Sequence, residues 1–330
     1  MARIACFGEI LLRLSPANGV GLRRASQLDL HVGGAEANVA VGLAQLGHDV
    51  RMISAVPANP LGERMRRALD AERVDTRFMV DGRGRAGLYF VDGLGAGRTP
   101  RVTYDRAESA FARCGTEAFD LAAALDGIDL LVVSGISPAL GAEPAAATLA
   151  IVNAARYAEC TVAMDCNYRE SLWRGSDRER ASVLAPIVEQ VDVLFASHRD
   201  AAYLAGFEGG AREEREAASA LFARFPRLSA IIATRRGEGA DIAGTVAARL
   251  DRPDGDTKSG PVNLPSQVGR IGAGDAFAAG VLHGLMEGWE DSRVLDLGLA
   301  ALALKHATPG DMPDHSQADL ADHTPGGIRR

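Results

Sequence analysis

Short runs of β-branched and aliphatic residues alternate along this chain with longer segments of helical periodicity. The run IDLLVVSGI at 128–136, for example, is followed by the helical pattern of residues 142–159. Continuous aliphatic strands are typical of parallel sheets that are covered on both faces and joined by crossover helices. The pattern predicts an α/β layered fold with a mostly parallel central sheet. The 330 residues suit one large domain, so we expect a single domain over 1–330.

Two segments interrupt this alternation. Residues 11–32 and about 83–105 have no helical pattern, alternate apolar with polar side chains, and contain glycine-rich turns. We predict that they form antiparallel strands of a small accessory sheet, a β lid inserted into the main domain. Because exposed sheet edges often pair between subunits, we also expect a homo-oligomer formed through this lid.

Composition excludes several classes of protein. A net charge of −7 and a pI near 5.6 argue against nucleic acid as the main partner. The opening segment does not read as a signal peptide, because Glu9 and Arg13 interrupt its apolar run, and no stretch is apolar enough to span a membrane. We therefore expect a cytoplasmic location. The cysteines form no C-x-x-C pair, which predicts reduced thiols and leaves the role of the last one open: Cys6, Cys114, Cys160 and Cys166.

The segment GRIGAGDAFAAGVLHGL, residues 269–285, places an aspartate directly after two glycines and before an apolar helical run. One interpretation is an ordinary helix start, with Asp275 complementing the helix dipole and glycine permitting the turn. The other is an anion site. Bare N–H groups at a helix N-terminus attract phosphate, and Asp275 would take the proton of a hydroxyl that attacks this phosphate. The motif alone does not decide between them.

Polar side chains follow the predicted strands at the point where each ends. In open α/β sheets, ligands bind beyond the carboxyl ends of the strands. The strand expected before Gly272 leads into the glycine motif, and three others end in polar clusters. These are Asp165, Asn167, Tyr168 and Arg169 after TVAM, Ser197 and Asp200 after VLFA, and Thr234, Arg235, Arg236 and Gly237 after AIIA. We expect them to line one site.

These stretches resemble the ribokinase-like (PfkB) carbohydrate kinases over nearly the whole chain, through GGAEANVAVGLAQLG at 33–47 and GAGDAFAAG at 272–280. Within that family, VTYDRAESA, DCNYRESLW, RIGAGDAFAAG and ALKHATPGD are most similar to kinases of 2-keto-3-deoxygluconate. The resemblance implies ATP-dependent phosphorylation of the primary hydroxyl of this sugar acid, giving 2-keto-3-deoxy-6-phosphogluconate. It also implies Mg²⁺, which we expect to be held largely by ATP phosphates and waters because no protein cage is visible.

The resemblance assigns roles residue by residue. Asp275 is expected to be the general base, and the backbone N–H groups of Gly272, Ala273 and Gly274 form the anion hole. The guanidinium of Arg169 can grip a carboxylate by two parallel hydrogen bonds. The substrate-binding residues are expected to be Gly33, Gly34, Asn38, Tyr89, Tyr104, Arg106 and Arg169. The ATP-binding residues are expected to be Asp165, Asn167, Ser197, Thr234, Gly237, Gly239 and His306.

Each assignment has a purely structural alternative. Gly33 and Gly34 could simply start a helix, Tyr89 and Tyr104 could be exposed strand residues, and Arg169 could form a surface salt bridge. One interpretation places Lys305 and His306 at the edge of the adenine pocket; the other is that a lysine ahead of Pro309-Gly310 is ordinary chemistry at the C-terminus of a helix.

The chain departs from the family pattern at two places. Gly269 stands where an aspartate is frequent, and Ser197-His-Arg-Asp200 stands where Asn-x-x-Glu is frequent. The second departure leaves the metal preference open. Neither touches Asp275.

Three other functions compete with a sugar-acid kinase. A kinase for a neutral sugar such as fructose or ribose would not need both Arg106 and Arg169. A dinucleotide-binding oxidoreductase would carry G-x-G-x-x-G after its first strand, where FGEILL stands. A non-catalytic binding protein of the same fold would not need Asp275. The residues do not distinguish a gluconate-derived from a galactonate-derived keto acid.

Overall fold

A computed structural model describes residues 1–17, 20–92, 101–169, 172–173, 177–206, 213–237, 244–264 and 271–321. The strands in these ranges are β1 Arg3–Phe7, β2 Leu11–Ser15, β3 Asp29–Gly33, β4 Asp49–Pro57, β5 Met79–Gly82, β6 Gly87–Asp92, β7 Arg101–Asp105, β8 Leu130–Ser134, β9 Thr161–Asp165, β10 Val193–Phe195, β11 Ala230–Arg236, β12 Thr245–Arg252 and β13 Gly255–Asn263. The helices are α1 Ala35–Gln45, α2 Pro60–Ala71, α3 Leu121–Leu125, α4 Ile136–Ala139, α5 Ala142–Tyr157, α6 Asp177–Val188, α7 His198–Ala205, α8 Glu214–Arg224, α9 Ala273–Met286, α10 Asp291–Ala307 and α11 Gln317–Ala321.

The large sheet contains nine strands in the order β13-β12-β11-β10-β9-β8-β1-β4-β5. The strands from β11 to β5 pair with one another in parallel, whereas β12 is antiparallel to both β11 and the edge strand β13. The predicted α/β layered fold with a mostly parallel sheet is confirmed.

Two apolar layers cover the faces of this sheet. One contains side chains of α1, α9 and α10, such as Phe277 and Leu295, and the other contains side chains of α5, α7 and α8, such as Ile151 and Leu221. Strands that are covered on both faces need continuous aliphatic sequence, and all five residues of β8 are buried. The four cysteines are buried and unpaired with one another, as reduced structural thiols would be.

A second sheet of four strands has the order β3-β2-β6-β7, so both segments predicted to form the accessory sheet contribute to it. Its outer pairs, β2 with β3 and β6 with β7, are antiparallel as predicted. The central pair is parallel: Leu11 lies opposite Gly87 and Leu14 opposite Phe90. A hairpin cannot join parallel strands, and here the connection between β2 and β6 runs through β3, α1, β4, α2 and β5.

The strand expected before Gly272 is the outermost strand, β13, which ends at Asn263. Since β12 is antiparallel to both β11 and β13, β13 runs in the same direction as β11 and ends at the same edge of the sheet. This edge therefore brings the ends of β9, β10, β11 and β13 together. No helix in the described part of the chain is long and apolar enough to cross a membrane.

Candidate active site

Helix α9 begins with a turn that glycine makes possible. Gly272 is the N-cap and has a left-handed backbone, with φ of 80°. A Cβ on this residue would overlap the carbonyl oxygen of Asp311, whereas a Cβ on Gly274 would have no atom within 4 Å. Gly274 is exposed at the opening of the helix. The turn thus offers backbone N–H groups to an anion from a surface without side chains.

Asp275 lies in the first turn of α9, and its carboxylate faces α1. The side-chain amide of Asn38 donates a hydrogen bond of 2.7 Å to Oδ2 of Asp275. Burial raises the pKa of Asp275 to about 7, while this hydrogen bond and the positive charge of Arg169 act in the opposite direction. A carboxylate whose pKa lies near neutral pH is suited to general base catalysis.

Two further carboxylates share this environment. Burial, with the charge of Asp275, raises the pKa of Asp165 at the end of β9 to about 7. Burial also raises the pKa of Glu36 to about 7, although Ser134 donates a hydrogen bond of 2.6 Å to its Oε1. Three acids therefore meet where β8, β9, α1 and α9 converge, and each raises the pKa of at least one other.

A cavity of about 430 Å³ opens beside Gly274 at the carboxyl ends of the strands. It brings together four of the predicted ATP-binding residues, one of the two predicted substrate arginines, and Gly274 of the glycine turn. Its lining includes Asp165, Asn167, Tyr168, Arg169, Ser197, Arg199, Asp200, Thr234, Gly274 and Phe277. Residues that lie more than 100 positions apart in the sequence thus form one site.

The donor set of this cavity fits a nucleotide with its metal. Arg169 and Arg199 supply positive charge, while the start of α9 supplies N–H groups for a phosphate. Asp165 and Asp200 supply the carboxylate oxygens that Mg²⁺ and its bound waters prefer.

Ser197 and Asp200, which differ from the usual family pattern, form a capping box at the start of α7. The Ser197 hydroxyl accepts a hydrogen bond of 3.2 Å from the N–H of Asp200, and the Asp200 carboxylate accepts one of 3.0 Å from the N–H of Ser197. A serine with an acid three residues later satisfies two N–H groups of a helix start. The pair therefore has a structural role beside any contact with metal-bound water.

Several of the residues predicted to bind the sugar lie in or beside the small sheet and α1. Gly34 caps α1 with φ of 151°, and a Cβ there would overlap the carbonyl oxygen of Glu9. Tyr89 in β6 is buried, and its hydroxyl donates to Asp311. Its ring lies 6.0 Å from that of Tyr104 in β7. Gly33 lies against the same Asp311, which also binds Arg13, so Gly33, Tyr89 and Arg13 all contact one buried acid.

The two predicted substrate arginines differ in environment. Arg169 is exposed and lines the cavity beside Gly274, near enough to Asp275 to influence its pKa. Arg106 is buried, and its guanidinium is paired with the carboxylate of Glu9. Because Glu9 offsets the charge of Arg106, Arg169 is the stronger candidate for reading a substrate carboxylate, and the role of Arg106 stays a prediction.

The remaining predicted ATP-binding residues that the structure describes are not among those that line this cavity. The N–H of Gly237 donates 3.0 Å to the carbonyl of Thr245 in the β11–β12 connection. His306 is buried in α10, with its Nε2 3.5 Å from Nη2 of Arg236. Gly239 and Gly269 lie outside the described residues. Lys305 is also buried, and it binds backbone carbonyls rather than opening onto the cavity.

The sequence of this chain matches a known protein family over almost its whole length. The pfkB family carbohydrate kinase profile matches residues 1–316. This chain belongs to the pfkB family of carbohydrate kinases. It is 34% identical, over 94% of this chain and 93% of the relative, to the 2-dehydro-3-deoxygalactonokinase of Haloferax volcanii. It is 29% identical to the 2-dehydro-3-deoxygluconokinase of Bacillus subtilis, over 93% of this chain and 90% of the relative.

A solved structure agrees with these relatives. The crystal structure of 2-dehydro-3-deoxygluconokinase from Thermotoga maritima superposes with a TM-score of 0.88 at 32% identity, covering 97% of both chains. The predicted resemblance to ribokinase-like kinases of keto-deoxy sugar acids is confirmed. The chain is a carbohydrate kinase, a phosphotransferase with an alcohol acceptor.

Three residues near the site escaped the sequence analysis. Glu36 could have been noticed as an acid directly after the Gly33-Gly34 pair, in the first turn of α1. Arg199 lies between Ser197 and Asp200 in the sequence, and a single arginine there carries no pattern that indicates a site. Asp311 gave no signal, because only the folded chain brings it to Arg13 and Tyr89.

Proposed function

We propose that the chain transfers the γ-phosphoryl group of ATP to the primary hydroxyl of a 2-keto-3-deoxy sugar acid, with 2-keto-3-deoxygluconate as substrate. The observation that carries this proposal is the Asp275 carboxylate. It lies at the start of α9, is held by Asn38 at 2.7 Å, and has a pKa raised to about 7. An acid at an anion-binding helix start repels phosphate, and its presence is explained if it accepts the proton of the attacking hydroxyl.

The residues divide the work as follows. Asp275 takes the proton of the primary hydroxyl as its oxygen attacks phosphorus, and the bond from phosphorus to the leaving ADP oxygen breaks. The N–H groups of Gly272, Ala273 and Gly274 stabilise the charge of the transferred group. Bound Mg²⁺ would neutralise phosphate charge, and Asp165 and Asp200 are the carboxylates that would hold its waters. Arg169 orients the substrate through its carboxylate.

The C4 epimer, 2-keto-3-deoxygalactonate, is the second candidate. The relative from Haloferax volcanii, at 34% identity, is named for that substrate. Other relatives, at 25% to 28% identity, are named 5-dehydro-2-deoxygluconokinases. All three substrates are keto-deoxy sugar acids with one carboxylate, which a site built around Arg169 suits better than a neutral sugar.

The test is kcat/KM for a panel containing both 2-keto-3-deoxy acids, 5-keto-2-deoxygluconate, fructose and ribose, followed as ADP release. We expect 2-keto-3-deoxygluconate to be used best and the neutral sugars at least tenfold less well. A better neutral sugar would refute the sugar-acid assignment, and preference for the galactonate epimer would transfer it to the second candidate.

Asp275→Asn should keep the fold and ATP binding but lower turnover by about a hundred- to ten-thousandfold, because an amide cannot accept the proton. Asp254→Asn, in the exposed turn between β12 and β13, is the matched control and should behave as the parent. Turnover of Asp275→Asn within threefold of the parent would remove the general base from the proposal.

A further inference from the structure

Lys305 is a buried cation that the phosphoryl transfer described above does not use. The whole side chain is buried near the end of α10. The chain contains only two lysines, Lys258 and Lys305, beside 34 arginines among its 36 basic residues. An ammonium is a compact point charge, whereas a guanidinium is a wide planar fork, so the enclosed position suits lysine.

The ammonium is held by the loop that follows α10. Nζ donates to the carbonyl oxygens of Thr308 at 3.2 Å and Gly310 at 3.1 Å. Burial lowers the pKa of Lys305, and the nearby Asp311 carboxylate opposes this effect. Carbonyl oxygens that converge on one buried positive charge are the surroundings a bound cation requires. The loop 308–311 is therefore folded around the ammonium.

The same loop supports the glycine turn from below. The carbonyl oxygen of Asp311 lies against Gly272, and Cε of Lys305 is 3.3 Å from the point where a Gly272 side chain would begin. On its other side, the Asp311 carboxylate binds Arg13 of β2 and Tyr89 of β6. The loop thus connects the small sheet to the Gly272–Gly274 turn, for which we proposed an anion-binding role.

We propose that Lys305 is a positioning residue whose ammonium acts as a built-in cation, holding the 308–311 loop against Gly272 and so fixing the anion hole. This inference rests on the proposed role of the Gly272–Gly274 turn. Without the charge, the carbonyls of Thr308 and Gly310 would repel one another, the loop would relax, and the turn would lose its support. Displacement of a catalytic group by about 1 Å can lower turnover by a hundredfold.

The first experiment compares Lys305→Met and Lys305→Ala with Lys258→Ala, a control at the exposed lysine of β13. In folded Lys305 variants we expect kcat to fall about thirty- to a hundredfold while KM for the sugar changes less than threefold. n-Propylammonium chloride should restore kcat of Lys305→Ala at least fivefold, whereas tetramethylammonium chloride of equal ionic strength should not. The longer side chain of Lys305→Met should block rescue.

Several results would overturn the proposal. One is a kcat of folded Lys305→Met that lies within threefold of the wild-type value. Another is an equal increase in the kcat of Lys305→Ala with the two ammonium salts. If both variants fail to fold, the salt dependence of the wild-type rate tests the proposal instead. A built-in cation predicts the same rate in potassium and tetramethylammonium chloride, and a difference above threefold contradicts it.

Failure of the proposed function can be told apart from failure of this inference. A wild-type protein that phosphorylates no sugar in the panel refutes the function but not the positioning role of Lys305. Amide hydrogen exchange across residues 271–277 then decides whether Lys305 holds the turn. Exchange should rise at least tenfold in Lys305→Met and remain unchanged in Lys258→Ala. Unchanged exchange in Lys305→Met would overturn the positioning role.

Discussion

The side-chain amide of Asn38 donates to the carboxylate of Asp275 at 2.7 Å, linking the first turns of α1 and α9. A hydrogen bond to the charged form of an acid favours that form, and here it opposes the burial that raises the pKa of Asp275 to about 7. Asn38 therefore lowers the pKa of Asp275, the proposed general base, and so increases the fraction of this carboxylate that is ionised near pH 7.

Asn38→Ala should shift the acid limb of the kcat/KM profile to higher pH. The wild-type rate should fall as pH drops through about 7, because protonated Asp275 cannot act as a base. Removing the hydrogen bond raises the pKa further, so the variant loses activity at a higher pH and recovers above it. The measurement is kcat/KM from pH 5.5 to 9.5, with Asn153→Ala in α5 as the control. An acid limb that stays in place would show that Asn38 does not tune the base.

Glu36→Gln should stabilise the protein at pH 8 and have little effect at pH 5. The pKa of Glu36 is raised from 4.5 to about 7 in the folded chain. Between these values the folded protein retains a proton that the unfolded chain has lost, so stability falls as pH rises through this window. Above it the buried charge remains as a penalty, and we expect the neutral amide to add about 1–3 kcal/mol to the free energy of unfolding.

Denaturant unfolding at both pH values measures this effect, with Glu143→Gln in the exposed first turn of α5 as the control. A gain for Glu36→Gln that is the same at pH 5 and pH 8 would show that ionisation of Glu36 is not its source.

The fold was predictable because strands that are covered on both faces have continuous aliphatic sequences. The fully buried β8 and the α1 helix after Gly33-Gly34 both lie where the pattern indicated. The parallel pairing of β2 with β6 could not be read from alternation, because alternation fixes the exposed face of a strand and not the direction of its partner. A strand was expected before Gly272, but the bounds of β13 could not be predicted because the strand mixes charged residues, glycine and proline.

The site was predictable where strand ends supply its residues. Asp165 ends β9, Asn167 and Ser197 follow parallel strands, and Thr234 lies near the end of β11, so the topology brings them to one cavity. The contacts of Asp311 could not be foreseen, since its loop reaches Gly272, Arg13 and Tyr89 only in the folded chain. The pairing of Arg106 with the buried Glu9 could not be foreseen either, because only the folded chain brings these two residues together.

Arg169→Ala should weaken use of the sugar acid more than use of fructose. A hydrogen bond to a charged group contributes about 1.5–3 kcal/mol, which corresponds to a ten- to hundredfold loss in kcat/KM for the acid. Arg169 also lowers the pKa of Asp275, so both proteins should be compared at pH 8.5, where this base is deprotonated. Arg169→Lys should be impaired as well, because it loses the planar fork.

Arg67→Ala, at an exposed position of α2, controls for loss of an arginine in general. Equal losses for acid and fructose in Arg169→Ala would mean that this guanidinium does not read the substrate carboxylate. The pair of Glu9 and Arg106 would then be the next place to look.

Two neighbouring glycines give the sharpest test of the anion hole. Gly272→Ala should destabilise the protein, because the residue has φ of 80° and its new Cβ would overlap the Asp311 carbonyl. The left-handed backbone alone costs about 1–2 kcal/mol for alanine. Gly274→Ala meets no atom within 4 Å, so its thermal midpoint should stay the same or rise, as alanine favours a helix over glycine by up to about 1 kcal/mol.

The effects of Gly274→Ala on activity and on stability should differ. The added methyl group of Gly274→Ala would project into the space through which phosphate approaches the helix start, so kcat should fall about a hundredfold in a protein as stable as the parent. Thermal unfolding and steady-state rates of the two variants, measured side by side, separate folding from catalysis. Parent-like turnover by stable Gly274→Ala would place the transferred phosphate elsewhere, because a methyl group and a phosphate oxygen cannot occupy the same space.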